Sequence, residues 1–153
     1  MKTCIILRGL PGTGKSSIVR DIVRTLSESH LTYTVCSADD FFMRGGNYEF
    51  KLELAGLAHK LCQDKFRAAV NAGVNYVIVD NTNTTYREVR PYAEYALANG
   101  YELRFIELQP LPLDVLEKRN IHNVPRETLE RMLRRWVSKM TVEDFLHPSW
   151  YVI

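Results

Sequence analysis

The chain has 153 residues, 46% of them hydrophobic and 25% charged, with twenty Lys and Arg against eighteen Asp and Glu. That length suits one domain with an ordinary core, and the apolar content and small net charge exclude a disordered chain. A charge of +2 neither demands nor forbids nucleic acid as a partner.

Residues 3–8 (Thr-Cys-Ile-Ile-Leu-Arg) read as a buried strand. The apolar run is too short for a signal peptide, and Arg8 closes it. A glycine-rich turn follows, then a predicted helix over roughly 15–27. Residues 32–37 read as a second strand, and 40–50, with Gly45-Gly46, as a loop. Leu54, Leu57, Ala58, Leu61, Cys62 and Phe66 recur at helical spacing, predicting a long amphipathic helix over about 51–72 that Gly73 ends. Tyr76-Val77-Ile78-Val79-Asp80 is a continuous apolar run closed by a carboxylate, the pattern of a strand buried on both faces. Thr85 and Glu88 make a capping box for the next helix, and Pro91 inside that pattern suggests a later start or a kink. Gly100 ends this helix, and 101–108 form another strand.

The tail from about 111 is helical, with Pro125 suited to a first helical position. Leu129, Met132, Leu133, Trp136, Val137 and Met140 extend an apolar stripe along it. Strands alternating with helices predict an α/β fold, a parallel sheet covered by helices on both faces. Cys4, Cys36 and Cys62 are widely spaced, form no C-x-x-C pair, and read as reduced, buried thiols. Asn83-Thr84-Thr85 matches a glycosylation sequon but reads as a helix cap. No stretch nears the ~20 apolar residues of a membrane helix, so the expectation is a soluble, cytoplasmic protein.

Gly9-Leu10-Pro11-Gly12-Thr13-Gly14-Lys15-Ser16 fits G-x-x-x-x-G-K-[ST] between an apolar strand and a helix. Its glycines let backbone amides approach phosphate oxygens, and the helix start adds a favourable dipole. Lys15 is a mobile charge for the β and γ phosphates, and Ser16 offers a hydroxyl to Mg²⁺. Gly9, Pro11, Gly12, Thr13, Gly14, Lys15, Ser16 and Ser17 are therefore the candidate nucleotide-binding residues, with ATP and Mg²⁺ the implied cofactors.

Asp80 is followed by Asn81, not by a Glu that could activate water, and no Asn-Lys-x-Asp occurs. Both features argue against a motor ATPase or a GTPase switch. In a parallel sheet the carboxyl ends of the strands face the ligand crevice, so the P-loop, Asp39-Asp40 and Asp80 converge on one edge. A carboxylate there can take the proton of an attacking hydroxyl. Asp80 suits a role beside Mg²⁺ or the P-loop, with Asp39 or Asp80 reaching the metal through water.

Residues 113–139 carry seven Lys and Arg against four Asp and Glu. Arg131, Arg134 and Arg135 lie opposite the apolar stripe and read mostly as a solvated face. Arg119 and Arg126 flank a short polar link and are candidates for a lid, about 119–126, over the transferring phosphate. His122, in the same link, is the histidine that merits testing.

With these motifs placed, the chain resembles the phage-type polynucleotide 5′-hydroxyl kinase domain, in the adenylate-kinase-like branch of P-loop kinases. The likeness runs through the P-loop, Ser37-Ala38-Asp39-Asp40-Phe41-Phe42, Asp80-Asn81-Thr82-Asn83, Pro91-Tyr92, Gly100-Tyr101 and Lys118-Arg119-Asn120. It implies a P-loop kinase fold with a short helical lid, and transfer of the ATP γ-phosphate to a 5′-hydroxyl end of DNA or RNA. It also implies Asp39 as general base, Lys15, Arg119 and Arg126 as catalytic partners, and Asp40, Arg44, Asp80 and Asn83 near the acceptor. The position three residues after the base, an acceptor-contacting Arg in the phage pattern, is Phe42 here, with Arg44 close by. The link before Pro125 is also shorter than the phage lid. Phe41, Phe42 and Tyr48 are candidates to stack on a terminal base. The expectation is one kinase domain over 1–153 without an attached phosphatase or ligase. A small-molecule kinase for a nucleoside, sugar or other alcohol is the alternative, and a non-catalytic nucleotide-binding module a further one.

Overall fold

A computed structural model describes residues 1–44, 46–48, 51–120 and 122–150, with Arg44, Asn47 and Tyr48 described through their backbone. The chain runs β1 (Thr3–Arg8), α1 (Lys15–Glu28), β2 (Tyr33–Cys36), a 3₁₀ turn (Ala38–Phe42), β3 (Met43–Arg44), β4 (Asn47–Tyr48), a second 3₁₀ turn (Leu52–Leu54) and α2 (Ala55–Asn71). It continues through β5 (Tyr76–Asp80), α3 (Tyr86–Ala98), β6 (Glu102–Glu107), α4 (Leu113–Arg119), α5 (Arg126–Arg135) and α6 (Glu143–Leu146).

Four strands form a parallel sheet in the order β2-β5-β1-β6. Alternation along the two central strands divides the core. Cys4, Ile6, Val77 and Val79 face a cluster with Ala58, Phe66, Val89 and Tyr92 of α2 and α3. Ile5, Leu7 and Ile78 face the other way, onto Ile18, Val19, Ile22, Val23 and Leu26 of α1. A third cluster, Leu10, Leu116 and Leu129, seats α4 and α5 against the loop after β1. Helices thus cover both faces of the sheet, as the alternation of strands and helices predicts.

Several local expectations shift. The 40–50 segment is not a plain loop, since a 3₁₀ turn and an antiparallel hairpin of β3 and β4 occupy its described part. The long helix starts at Ala55 after a 3₁₀ turn, not at 51. Pro91 neither delays α3 nor breaks it; the helix runs from Tyr86 with Pro91 inside. Thr85 caps that helix as expected, its hydroxyl accepting from Glu88 N at 3.3 Å. The Glu88 carboxylate, however, accepts from the amide of Thr84 rather than of Thr85.

The apolar stripe of the tail does not continue as one helix. α5 stops at Arg135, and Trp136, Val137 and Met140 lie beyond it. Long-range bonds turn the chain there. The Val137 amide donates to Thr84 O, the Val137 carbonyl accepts from Arg8 Nη2 at 2.7 Å, and Glu107 accepts from the amides of Lys139 and Met140.

Candidate functional site at the carboxyl edge of the sheet

β1 delivers the P-loop to the carboxyl edge of the sheet. Gly12 and Gly14 adopt φ of +90° and +103°, the left-handed region that glycine enters without strain. Space also requires glycine at position 12, where a Cβ would stand 3.0 Å from the Leu116 carbonyl and 3.3 Å from Arg119 Cβ. The end of α4 therefore rests directly on the loop, and Arg119 leaves from that contact. Thr13 ties the loop to itself, its hydroxyl donating to Leu10 O at 2.7 Å. Lys15, Ser16 and Ser17 open α1, where backbone amides have no acceptor within the helix. They are available to an anion, as are the amides of Gly12 and Gly14.

Lys15 donates to the Gly9 carbonyl at 2.8 Å. Burial pulls its ammonium below the ordinary lysine value, while Asp80 and Asp39 push it back up. Asp80, the last residue of β5, shows the reverse balance. Burial raises its carboxyl, Lys15 opposes that, and Asp39 and Asp40 reinforce it. Lys15, Asp80 and Asp39 thus share one electrostatic neighbourhood, as the strand order predicted.

Asp39 and Asp40 sit in the 3₁₀ turn after β2, and both are exposed. The turn is fixed to β5 by a bond from the Ala38 amide to Asn81 Oδ1 at 2.9 Å. His122 Nε2 lies 3.9 Å from Asp39 Oδ2, and Lys65 Nζ lies 3.9 Å from Asp40 Oδ2. The side chains of Arg44 and Tyr48 lie outside the described residues. Phe42 is buried in the core and packs edge-on against Phe41, so its ring is not presented to solvent.

Asn83 is buried, with φ of +49°, and donates to the Leu7 carbonyl at 2.7 Å. It locks the β5–α3 loop onto β1. Arg126 Nη1 pairs with Asp114 at 2.7 Å and Glu117 at 3.3 Å. That brace joins the start of α5 to α4 across the short link.

Among the described residues, no group of three His, Cys, Asp or Glu is gathered to hold a metal. The donor set nevertheless fits Mg²⁺, which takes oxygen ligands and is held by one or two carboxylates together with phosphates. The Ser16 hydroxyl opens the helix beside Lys15, whose neighbours are Asp80 and Asp39.

Two residues escape local pattern reading. Arg8 ends an apolar strand yet is fully buried. Its guanidinium donates to the carbonyls of Asn83, Thr84 and Val137, pairs with Glu107, and lies 4.4 Å from the Trp136 ring centroid. The signal was there in two charges that close paired strands, Arg8 opposite Glu107. Arg135, read as solvated, in fact donates to Thr84 Oγ1 at 2.9 Å and reaches Glu88 at 3.5 Å.

A family model described as an AAA domain matches residues 4–138. The chain belongs to that family. NEDD4-binding protein 2 of Homo sapiens is 34% identical over 148 residues, which cover 95% of this chain and 8% of the human protein. A solved structure of a Pnkp1/Rnl/Hen1 complex aligns at 28% identity and a TM-score of 0.57, over 77% of this chain and 38% of that one. A structure of the Pnkp1/Rnl/Hen1 RNA repair complex shares the fold at a TM-score of 0.63 and 23% identity, over 88% of this chain and 43% of that one. The chain thus spans less than half the length of each of these three relatives. Its sheet and helices have the fold of solved P-loop kinases, for which ATP and Mg²⁺ are the implied ligands. No helix among the described residues is long and apolar enough to cross a membrane.

Proposed function

We propose that this domain transfers the γ-phosphate of ATP to a 5′-hydroxyl end of DNA or RNA. The observation that carries the reading is the shared neighbourhood of Lys15, Asp80 and Asp39 at one sheet edge. It pairs a phosphate-binding loop with a carboxylate that is half-exposed, 55% of its side chain being open to a bulky acceptor. Similarity to a chain of the Pnkp1/Rnl/Hen1 complex, which is an RNA repair complex, supports a polynucleotide over a small alcohol.

The residues divide the work. The P-loop amides and Lys15 hold the β and γ phosphates. Ser16, with Asp80 or Asp39, would hold Mg²⁺, which would neutralise charge on the phosphate oxygens. Asp39 orients the 5′-hydroxyl and takes its proton as the oxygen bonds to the γ-phosphorus. The bond from that phosphorus to the β–γ bridging oxygen breaks, and ADP leaves. Arg119, whose Cβ lies close to Gly12, stabilises charge on the transferring group in this reading. Arg126 contributes indirectly, by bracing α5 on α4 through Asp114 and Glu117.

The test offers γ-labelled ATP with 5′-hydroxyl DNA, 5′-hydroxyl RNA, nucleosides and sugars. Label on oligonucleotide ends is expected, and Asp39→Asn should keep ATP binding while losing transfer by about 10²-fold or more. Label confined to a small alcohol would overturn the acceptor, and unchanged turnover in Asp39→Asn would overturn the base.

A further inference from the structure

A groove of about 350 Å³ opens beside the candidate site. Residues 81–83 form its floor, α2 supplies His59 and Gln63, α3 supplies Arg87, and α5 supplies Met132 and Arg135. Two hydrogen bonds join it to the site. The Gly9 amide of the P-loop donates to the Thr82 carbonyl of the floor at 3.1 Å. Asn81, also in the floor, holds the amide of Ala38, the residue before Asp39.

The charges in the groove are unequally used. Glu88 is its carboxylate, and it is occupied by the Thr84 amide, the Thr84 hydroxyl and Arg135. Arg87 is exposed and, among the described residues, makes no hydrogen bond or ion pair, as is also true of the His59, Gln63 and Thr82 side chains. Arg87 is moreover the second residue of α3. A first helical turn favours anions, so a cation there opposes the helix dipole. Local helix stability does not explain it, whereas an anionic ligand in the groove does. The volume lies at the small end of the ~300–1,000 Å³ of ligand pockets, room for about one nucleotide unit.

We infer that this groove receives the acceptor strand just 3′ of its 5′-hydroxyl end, with Arg87 on a backbone phosphate and His59 and Gln63 along the opposite wall. The inference rests on the kinase reading above and adds the path of the strand. A nucleic acid fits better than a lone phosphorylated alcohol because the cation and the uncharged polar groups stand on different walls, α3 and α2.

The experiment uses 3′-labelled, 5′-hydroxyl twelve-nucleotide DNA and RNA, and nucleoside 3′-monophosphate, in binding and transfer assays. Arg87→Ala is compared with Arg24→Ala, an exposed arginine of α1 paired only with Asp21. Each removes one positive charge. Arg87→Ala should weaken strand binding about tenfold, with Arg87→Lys retaining part of it. Its salt slope should fall by roughly 0.7, one phosphate contact. Arg24→Ala should do neither, and the ATP KM should stay constant in all variants. Equal effects of the two Ala variants would overturn the groove. Transfer to oligonucleotides with an unchanged KM in Arg87→Ala would overturn it while leaving the kinase reading intact. Strand binding that depends on Arg87, without transfer, would do the opposite. No strand binding by the wild type, or Arg87-dependence seen only with the nucleoside 3′-monophosphate, would overturn the strand assignment.

Discussion

Two cations seven residues apart, Arg8 just before the P-loop and Lys15 within it, one buried and the other half-buried, are treated in opposite ways. Arg8 is saturated by the protein, with three carbonyls, a carboxylate and an indole ring gathered around it. Lys15 has one hydrogen bond, to the carbonyl of Gly9, and two carboxylates in its electrostatic surroundings. A guanidinium with five fixed donors suits the first task, and a flexible ammonium the second. A buried charge completed by the protein serves the fold. One left incomplete is reserved for a ligand that brings negative charge.

The contrast breaks most visibly at Arg8. Replacing it with Met leaves Glu107 without its partner and strips a donor from each of three carbonyls. Arg8→Met should cost about 3–5 kcal/mol, the range for losing one partner of a buried pair. Denaturant unfolding would read this as a lowered midpoint, and an unchanged midpoint would show that the clamp holds nothing.

At Lys15 the expected effect is smaller and depends on pH. Burial lowers its pKa in the free protein, and nucleotide phosphates should raise it again. Binding therefore favours the protonated amine. Affinity should be full below the lowered pKa of the free protein and decline as pH rises through it, a decline that begins below the ordinary 10.5. Calorimetry in buffers of differing ionisation enthalpy should show proton uptake with ATP as pH passes through that value. Binding that releases protons there would contradict the assignment.

The smallest effect belongs to a third cation. Arg126, with its two carboxylates on the surface, lacks the low dielectric that makes Arg8 consequential. A double-mutant cycle of Arg126→Ala with Asp114→Ala should return only weak coupling, fading with salt. Coupling comparable to the Arg8 clamp would erase the distinction between the two ends of the segment.

What the sequence made legible follows the same division. The P-loop, β5 with Asp80, and the Thr85 cap are signalled by neighbours within a few residues, and each lies where periodicity and motif put it. The end of α5 is not signalled in this way. Trp136, Val137 and Met140 continue the helical stripe, but Arg8 and Glu107 take the backbone of 137–140 from more than thirty positions away. Tertiary hydrogen bonds there override a local period. Arg87 was passed over because a lone exposed arginine has no sequence pattern; its meaning comes from the groove that three separate helices enclose. Arg119 was found by motif, yet its seat against Gly12 needed the fold to bring α4 back over the loop.

The bond from the Gly9 amide to the Thr82 carbonyl has a consequence for how such a domain can diversify. The loop that would present the donor phosphate and the floor that would support the acceptor are stitched together there from main chain to main chain. Side chains on the groove walls are free to change without disturbing that stitch. Alignment of the reacting groups and choice of acceptor are thereby inherited separately, and one frame can be refitted to new alcohols by altering only its walls.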